Sequence, residues 1–312
     1  MSSAPLSRRE RFTVALYRTG WSTVRRLPEP AAYRLFDLIA DLAWRRHAGP
    51  VRRLEANLAR VRPELGQPEL RRLARAGMRS YLRYWCDSFR LPDWDEQRIT
   101  GSVRVVGDEP VRAALASGRG VVMFLGHLGN WDHAGAWSTL RLAPVTTVAE
   151  RLRPEALFEQ FVGFRERLGM RVIPLGGHEV FRQLMTVLRD GGFVPLLADR
   201  DLTDGGVEVS FFGEPARMAV GPAALALQTG AALHPVSIHY EPRGVGWGIV
   251  ITWHDEVAAP RERARGAAAT RDAVRDMTQA CADVLADAIK GHPQDWHMLQ
   301  RVFSADLRPQ DR

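Results

Sequence analysis

The chain reads VVMFLGHLGNWD from Val121 to Asp132, and this segment gives the clearest indication of how the chain folds. Its first five residues are apolar, as in a buried strand, and glycines on both sides of His127 and Leu128 mark where that strand ends. Open α/β sheets keep their reactive groups at such strand ends. If a helix begins near Asn130, Asp132 lies in its first turn. Its carboxylate can then hold one imidazole nitrogen of His127 and leave the other as a general base.

The remainder of the chain after Ser102 alternates between strand-like and helix-like segments. This pattern predicts an α/β fold with a central, largely parallel sheet flanked by helices. We predict strands at 103–106, 120–125, 145–148, 171–173, 193–198, 207–212, 233–240 and 247–253. We predict helices at 109–116, 132–140, 154–168, 179–189, 221–229 and 271–289. The last two strands are expected to form a hairpin at an edge of the sheet.

Residues 8 to 90 predict a helical cover whose helices are separated by prolines. Expected helices lie at 31–44, 51–60 and 69–90. They follow a first helix in which Phe12, Ala15, Leu16 and Thr19 recur between arginines. That first helix has the profile of an interfacial helix, and its apolar face is equally compatible with packing on the protein. We therefore expect an N-terminal helical region at 1–98 and an α/β core at 99–312 that folds as a single unit.

The composition of the 312-residue chain favours a membrane surface as partner. Lys plus Arg is 43 against 36 for Asp plus Glu, the net charge is +7, and Lys290 is the sole lysine. Such a balance fits nucleic acid or an anionic bilayer, and no nucleic-acid motif is present. No apolar stretch reaches the ~20 residues of a spanning helix, and no signal peptide is expected. Cys86 and Cys281 lack metal-ligand spacing, so we predict no metal.

Five segments, in this order, resemble the lysophospholipid acyltransferase superfamily, in the branch that contains the late acyltransferases of lipid A biosynthesis. They are H-x4-D at 127–132, ADRD at 198–201, VEVSFFGE at 207–214, GPAALA at 221–226 and PQDW at 293–296 with Arg301. Within that branch, AERL at 149–152 and ADRDLT at 198–203 are most similar to actinobacterial phosphatidylinositol mannoside acyltransferases. The resemblance implies an enzyme at the cytoplasmic face of the plasma membrane, peripheral to it. It would move a long acyl group from acyl-CoA to a mannose hydroxyl, with no further cofactor.

The catalytic residues follow from the chemistry of acyl transfer, which needs a base for the hydroxyl and a site for the developing oxyanion. No Gly-x-Ser-x-Gly sequence is present, so we predict direct transfer with His127 as base and no acyl-enzyme. Asp132 is the expected orienting partner. The resemblance implies that an acidic residue near Asp201 also touches the histidine, and we prefer Asp201 to Asp199. Gly129 and Asn130 are candidate substrate-binding residues beside the base.

The other candidate substrate-binding residues are Arg200, Asp199, Glu150, Arg151 and Glu208. Two of them, Arg200 and Glu150, also have a structural alternative. Arg200 is suited to clamping a phosphate, or it forms an ion pair with Asp199 or Asp201. Glu150, beside Arg151, is suited to accepting hydrogen bonds from mannose hydroxyls, or to capping the next helix. Glu208 lies on an alternating strand and is expected to share one face with Ser210.

Three alternatives remain open at this point. The acceptor is phosphatidylinositol mannoside or another anionic glycolipid, with lipid A precursor or lysophospholipid as the competing acceptors. Acyl carrier protein competes with CoA as donor. A non-catalytic basic protein that binds membrane surfaces is the alternative outside enzymology. Acyl length, the modified hydroxyl and the oligomeric state stay undetermined.

Overall fold

The computed structural model describes residues 20–151, 155–201, 205–244, 246–260 and 266–307. Its helices are α1 (Glu29–Arg46), α2 (Gly49–Val61), α3 (Gln67–Arg90), α4 (Glu96–Gly101), α5 (Glu109–Ala116), α6 (Trp131–Arg141), α7 (Glu155–Arg167), α8 (Gly177–Arg189), α9 (Gly221–Thr229) and α10 (Ala267–Gly291). Its strands are β1 (Val103–Val106), β2 (Val121–Leu125), β3 (Thr146–Ala149), β4 (Arg171–Pro174), β5 (Phe193–Leu197), β6 (Val207–Phe211), β7 (Glu214–Met218), β8 (Ala232–Arg243) and β9 (Gly246–Trp253).

The central sheet has the strand order β1-β9-β8-β2-β5. Three of its four pairings are parallel, and only β8 with β9 is antiparallel. The α/β fold with a largely parallel sheet is therefore confirmed. The expected edge position of the hairpin is wrong, because β1 pairs in parallel with β9 and covers it. Val103 to Val106 thus form the edge strand instead.

The N-terminal cover is helical, as predicted, and prolines begin its helices. Each of these helices has a proline at one of its first two positions, namely Pro30 in α1, Pro50 in α2 and Pro68 in α3. Proline suits these positions because its missing N–H would have no partner in the first turn of a helix. The expected helix from Phe12 to Thr19 lies outside the described residues. No helix in the described part of the chain combines the length and apolar character needed to span a bilayer.

A small antiparallel ribbon of β6 and β7 lies outside the central sheet. The sequence patterns missed β7, since Pro215 and Arg217 interrupt its apolar residues. The turn before it uses two positive φ angles, +51° at Phe212 and +80° at Gly213. The predicted alternation of β6 is confirmed, with Glu208 and Ser210 exposed and Val209 buried between them.

The pairing of β2 with β5 positions the chemistry. Both strands are buried and parallel, so their carboxyl ends meet at the same edge of the sheet. Leu125, the last residue of β2, lies opposite Leu197, the last residue of β5. The segments that follow these two strands are therefore brought side by side.

Candidate active site

His127 and Asp199 form a hydrogen-bonded pair at this edge. The His127 ring Nδ1 lies 2.6 Å from Asp199 Oδ1, and the His127 backbone N–H donates to Asp199 Oδ2 at 2.9 Å. The indole N–H of Trp296 donates to the same Oδ2 at 3.0 Å. Three N–H groups thus hold the Asp199 carboxylate beside Nδ1 of the imidazole.

The electrostatics of the pair favour an ionised Asp199. Asp199 is completely buried, and burial alone would raise its pKa. The charge of His127 and the hydrogen bonds from His127 and Trp296 outweigh burial, so the pKa of Asp199 lies below its usual value. An ionised Asp199 accepts from Nδ1–H and leaves the lone pair on Nε2. The His127 side chain is 16% exposed, so the ring is accessible from solvent.

Asp132 does not orient His127, contrary to our prediction. It is 2% exposed, accepts from the Tyr84 hydroxyl at 2.7 Å and from Arg165 Nε at 2.7 Å. The first turn of α6 directs this carboxylate towards α3 and α7, away from the histidine. Asp132 therefore ties the beginning of α6 to two neighbouring helices.

Asp201 does not touch the histidine either, so preferring it to Asp199 was wrong. Its carboxylate accepts from the Gly206 backbone N–H at 2.8 Å and lies 3.6 Å from Arg217. The strand register explains the difference, since it places Asp199 beside His127 and carries Asp201 two residues further along.

Gly129 and Asn130 shape the loop between β2 and α6. The side chain of Asn130 caps α6 by accepting from His133 N–H at 2.9 Å. Gly129 adopts a φ of +53°, and a Cβ there would lie 2.8 Å from the Ile238 carbonyl oxygen. These contacts give both residues a structural role, and their expected role in substrate binding stays a prediction.

A polar stripe on α3 supports this loop, and the sequence patterns missed it. Ser80, Tyr84 and Asp87 follow one another at spacings of four and three, so they share one helix face. Each is almost completely buried. Ser80 is hydrogen-bonded to both Asp295 and His297. Tyr84 is hydrogen-bonded to Asp132, and Asp87 to Asn130. Polar residues at helical spacing within an amphipathic helix were the available signal.

Asp87 accepts hydrogen bonds from more partners than the other two members of that stripe. Its carboxylate also accepts from the hydroxyls of Tyr33 and Tyr240, at 2.7 and 3.1 Å. Burial raises the pKa of Asp87 to about 6, although these hydrogen bonds and the charge of Arg83 act in the opposite direction.

Trp131 forms a wall beside the base. Its ring meets that of His127 edge-on, with centroids 5.5 Å apart, and stacks on Tyr84 at 4.0 Å. The backbone N–H of His297 donates to the His127 carbonyl at 2.8 Å. The His127 ring is thus confined on the side that faces the helical cover.

The other candidate binding residues lie around Arg200. Its guanidinium is 3.6 Å from the Glu150 carboxylate. The structural alternative, an ion pair of Arg200 with Asp199 or Asp201, is therefore wrong. Arg151 pairs with Glu155 one turn along the chain, and Glu208 accepts from the Ser304 hydroxyl. Glu150 and Arg200 are therefore brought together, whereas Arg151 and Glu208 are engaged elsewhere.

An apolar cavity of about 320 Å³ opens beside Arg200 and Asp201. Leu196 and Leu197 of β5 line it, together with apolar residues from β3, α8 and the beginning of α9. A smaller cavity of about 50 Å³ shares Leu197 and Val148 with it and reaches Trp131. Apolar space therefore extends along β5 on either side of Leu197, close to the catalytic edge.

Comparison with known proteins agrees with this geometry. The family model of bacterial lipid A biosynthesis acyltransferases matches residues 3–305. The chain belongs to this family. It is an acyltransferase, and the histidine of the His127–Asp199 pair is that of the H-x4-D segment.

Two relatives of this acyltransferase are similar over most of their length. A phosphatidylinositol mannoside acyltransferase of Mycobacterium tuberculosis (strain CDC 1551 / Oshkosh) is 45% identical over 93% of this chain and 88% of its own. One of Mycolicibacterium smegmatis is 44% identical over 95% of this chain and 93% of its own. The predicted family and branch are thereby confirmed.

Proposed function

We propose that this acyltransferase moves a long fatty acyl group from acyl-CoA to a mannose hydroxyl of a phosphatidylinositol mannoside. The His127–Asp199 pair is the observation that carries the proposal. It supplies a base that is oriented and accessible, which is what deprotonation of a sugar hydroxyl requires. The activity for which the two mycobacterial relatives are named supports the choice of acceptor.

The reaction needs only the groups present in the chain and the two substrates. His127 Nε2 takes the hydroxyl proton as the sugar oxygen bonds to the thioester carbonyl carbon. Collapse of the tetrahedral intermediate breaks the C–S bond, and the imidazolium returns the proton to the departing thiolate. Asp199 stays ionised and stabilises the imidazolium between these steps.

The apolar cavity beside β5 is suited to the acyl chain. Its walls are mainly aliphatic, and burying each CH₂ of a fatty chain contributes roughly 0.8 kcal/mol. Arg200 and Glu150 stand at its polar margin. We place the thioester between this margin and His127, with no cofactor beyond the donor thioester.

We also propose that helix α1 docks the enzyme on the membrane. Four large apolar side chains on α1 are exposed at helical spacing, namely Leu35, Leu38, Ile39 and Leu42, and Leu38 is 68% exposed. The opposite face of α1 is buried through Ala32, Phe36 and Ala40. A helix that is apolar on both faces needs a second apolar partner. Arg34, Arg45 and Arg46 are exposed on the same helix and favour an anionic surface.

The catalytic proposal is tested by replacing the base. His127→Ala should lower acyl transfer by roughly 10²–10⁴-fold or more and leave the unfolding midpoint unchanged within error. His254→Ala is the matched control, because it removes a ring that bonds Ser237 and leaves the pair intact. A folded His127→Ala protein with near wild-type turnover contradicts the proposal.

The acceptor and donor are tested with purified substrates. The assay compares three acceptors, namely phosphatidylinositol mannoside, lipid A precursor and lysophospholipid. Radiolabelled palmitoyl-CoA is the donor, and the products are separated by thin-layer chromatography. We expect the mannoside to be acylated fastest, and palmitoyl-acyl carrier protein to be the slower donor. Release of no CoA with any acceptor would instead favour the non-catalytic membrane-binding protein.

The docking face is tested by sedimentation with phosphatidylglycerol vesicles. Leu38→Glu with Ile39→Glu should weaken binding at least tenfold, since burying each side chain contributes about 1.5–3 kcal/mol. Leu140→Glu is the control, because Leu140 is 41% exposed but lies on α6. Equal binding by both variants contradicts the role of α1.

A further inference from the structure

A third cavity, which we call the arginine pocket, lies at the beginning of α2. Its volume is about 420 Å³, and its walls include Arg52, Arg53 and Arg301 together with Asn57 and Gln300. None of these residues has a part in the catalytic pair or the apolar cavity. The pocket is polar and open, so it is suited to a charged group of a ligand.

The charges of the pocket favour an anion. Arg53 pairs with no carboxylate in the described ranges, and Arg52 uses one N–H on the His47 carbonyl at 2.8 Å. The one acidic wall residue, Asp306, already accepts two hydrogen bonds from Arg60, at 2.8 and 3.2 Å. Arg60 thus compensates the negative charge of Asp306, and Arg52 and Arg53 contribute positive charge to the pocket.

The backbone adds to this positive potential. Helix α2 has 13 residues and begins at Gly49 in the pocket wall, with no side chain capping its first turn. Pro50 has no N–H, so the amides of Gly49 and Val51 are the ones in the first turn without a partner within the helix, and the helix dipole places partial positive charge there. Guanidinium groups beside such a helix terminus are suited to donating hydrogen bonds to phosphate oxygens.

One extended segment connects the arginine pocket to the catalytic pair. Trp296 holds Asp199, and five residues later Arg301 lines the pocket. The Asn57 side chain fixes the segment between them by donating to the carbonyls of Met298 and Gln300, at 2.9 and 3.0 Å. Five residues span at most about 18 Å, so Arg301 lies within that distance of Trp296.

We propose that the arginine pocket binds a phosphate ester of a substrate. Under the proposed function, both substrates carry one at a distance from the reacting atom: the phosphodiester of the inositol lipid, and the phosphates at the nucleotide end of coenzyme A. In the sequence, the pocket begins at Gly49, seven residues after Leu42, which is the last exposed leucine of α1.

Direct binding tests this site without relying on catalysis. Glycerophosphoinositol stands for the lipid headgroup, and adenosine 3′,5′-bisphosphate stands for the coenzyme; each is titrated calorimetrically into the wild-type protein and into Arg53→Gln. We expect Arg53→Gln to weaken one of the two probes roughly tenfold, as expected for loss of a charge-assisted hydrogen bond. Weakening of the first probe assigns the acceptor phosphate, and weakening of the second assigns the coenzyme phosphate.

The matched control is Arg275→Gln, which removes the same charge from an exposed arginine of α10 paired with Asp272 and Asp276. Arg52→Gln provides a second variant in the pocket. The proposal is overturned if wild-type protein binds neither probe, or if the pocket variants bind both probes as tightly as Arg275→Gln. Acyl transfer by His127 can fail independently of this binding, so the two proposals are separable.

Discussion

His127 and Asp199 are separated by 72 residues, and the same offset relates each paired residue of β2 and β5. Val121 lies opposite Phe193, and Leu125 lies opposite Leu197. The parallel register therefore continues two residues beyond the ends of both strands and brings the imidazole to its carboxylate. The catalytic pair is a direct consequence of strand pairing.

This relationship predicts that Asp199 and Asp201 differ in function. Asp199→Asn should lower kcat by roughly 10²–10⁴-fold, because a neutral amide cannot fix the imidazole tautomer or stabilise the imidazolium. Asp201→Asn loses an ion pair with Arg217 and should retain most of the activity. Steady-state kinetics on both variants decide the matter, and a greater loss in Asp201→Asn would contradict the assignment.

The sequence predicted most of the fold because the signals were local. The five apolar residues of β2 and its glycines identified the strand and its end, and prolines marked the beginnings of the cover helices. The choice between Asp199 and Asp201 depended on the register between β2 and β5, which no local pattern specifies. Shifting that register by two residues would have placed Asp201 beside the histidine.

The supporting contacts were predictable only in part. Tyr84 and Asp87 lie more than 40 residues before the residues they bond, Asp132 and Asn130. Their spacing on α3 indicated a shared face, but only tertiary packing shows what that face meets. Asp132 was taken for a catalytic partner because it lies in the motif, although helix geometry turns it towards Arg165.

Arg165 is predicted to contribute mainly to stability. Arg165→Gln leaves the buried Asp132 carboxylate without its charge partner, which should lower the free energy of unfolding by about 3–5 kcal/mol. Arg182→Gln, which breaks an exposed pair with Glu179, should change it by less than about 1 kcal/mol. Urea unfolding at pH 7 measures both. Equal stabilities of these variants would show that the Asp132 contacts are dispensable.

Asp87 is predicted to make stability depend on pH. Burial raises its pKa to about 6 in the folded protein, so the native state holds this proton more tightly than the unfolded chain does. The free energy of unfolding should therefore fall as pH rises from about 4 to about 6, by about 3 kcal/mol from this group alone. Asp87→Asn does not titrate and should lose that component.

The measurement compares wild type with Asp87→Asn by urea unfolding at several pH values. The difference between the two proteins isolates Asp87 from other groups, including Asp199, whose lowered pKa acts in the opposite direction. We expect the free energy of unfolding of wild type, relative to that of Asp87→Asn, to decrease as pH rises through 6. Parallel pH profiles would mean that Asp87 has the same pKa in the folded and the unfolded protein.

Gly129 is predicted to be required for the position of the catalytic loop. Its φ of +53° already disfavours a side chain, and a Cβ would lie 2.8 Å from the Ile238 carbonyl oxygen. Gly118 has a φ of +76° but open space around it, so Gly118→Ala measures the backbone cost alone. We expect that cost to be about 1–2 kcal/mol, and the cost of Gly129→Ala to be larger. Because a shift of the loop moves His127, Gly129→Ala should also lower kcat at least tenfold. Thermal unfolding and steady-state kinetics on both variants test this, and a Gly129→Ala enzyme with the stability and turnover of Gly118→Ala would show that the loop tolerates the displacement.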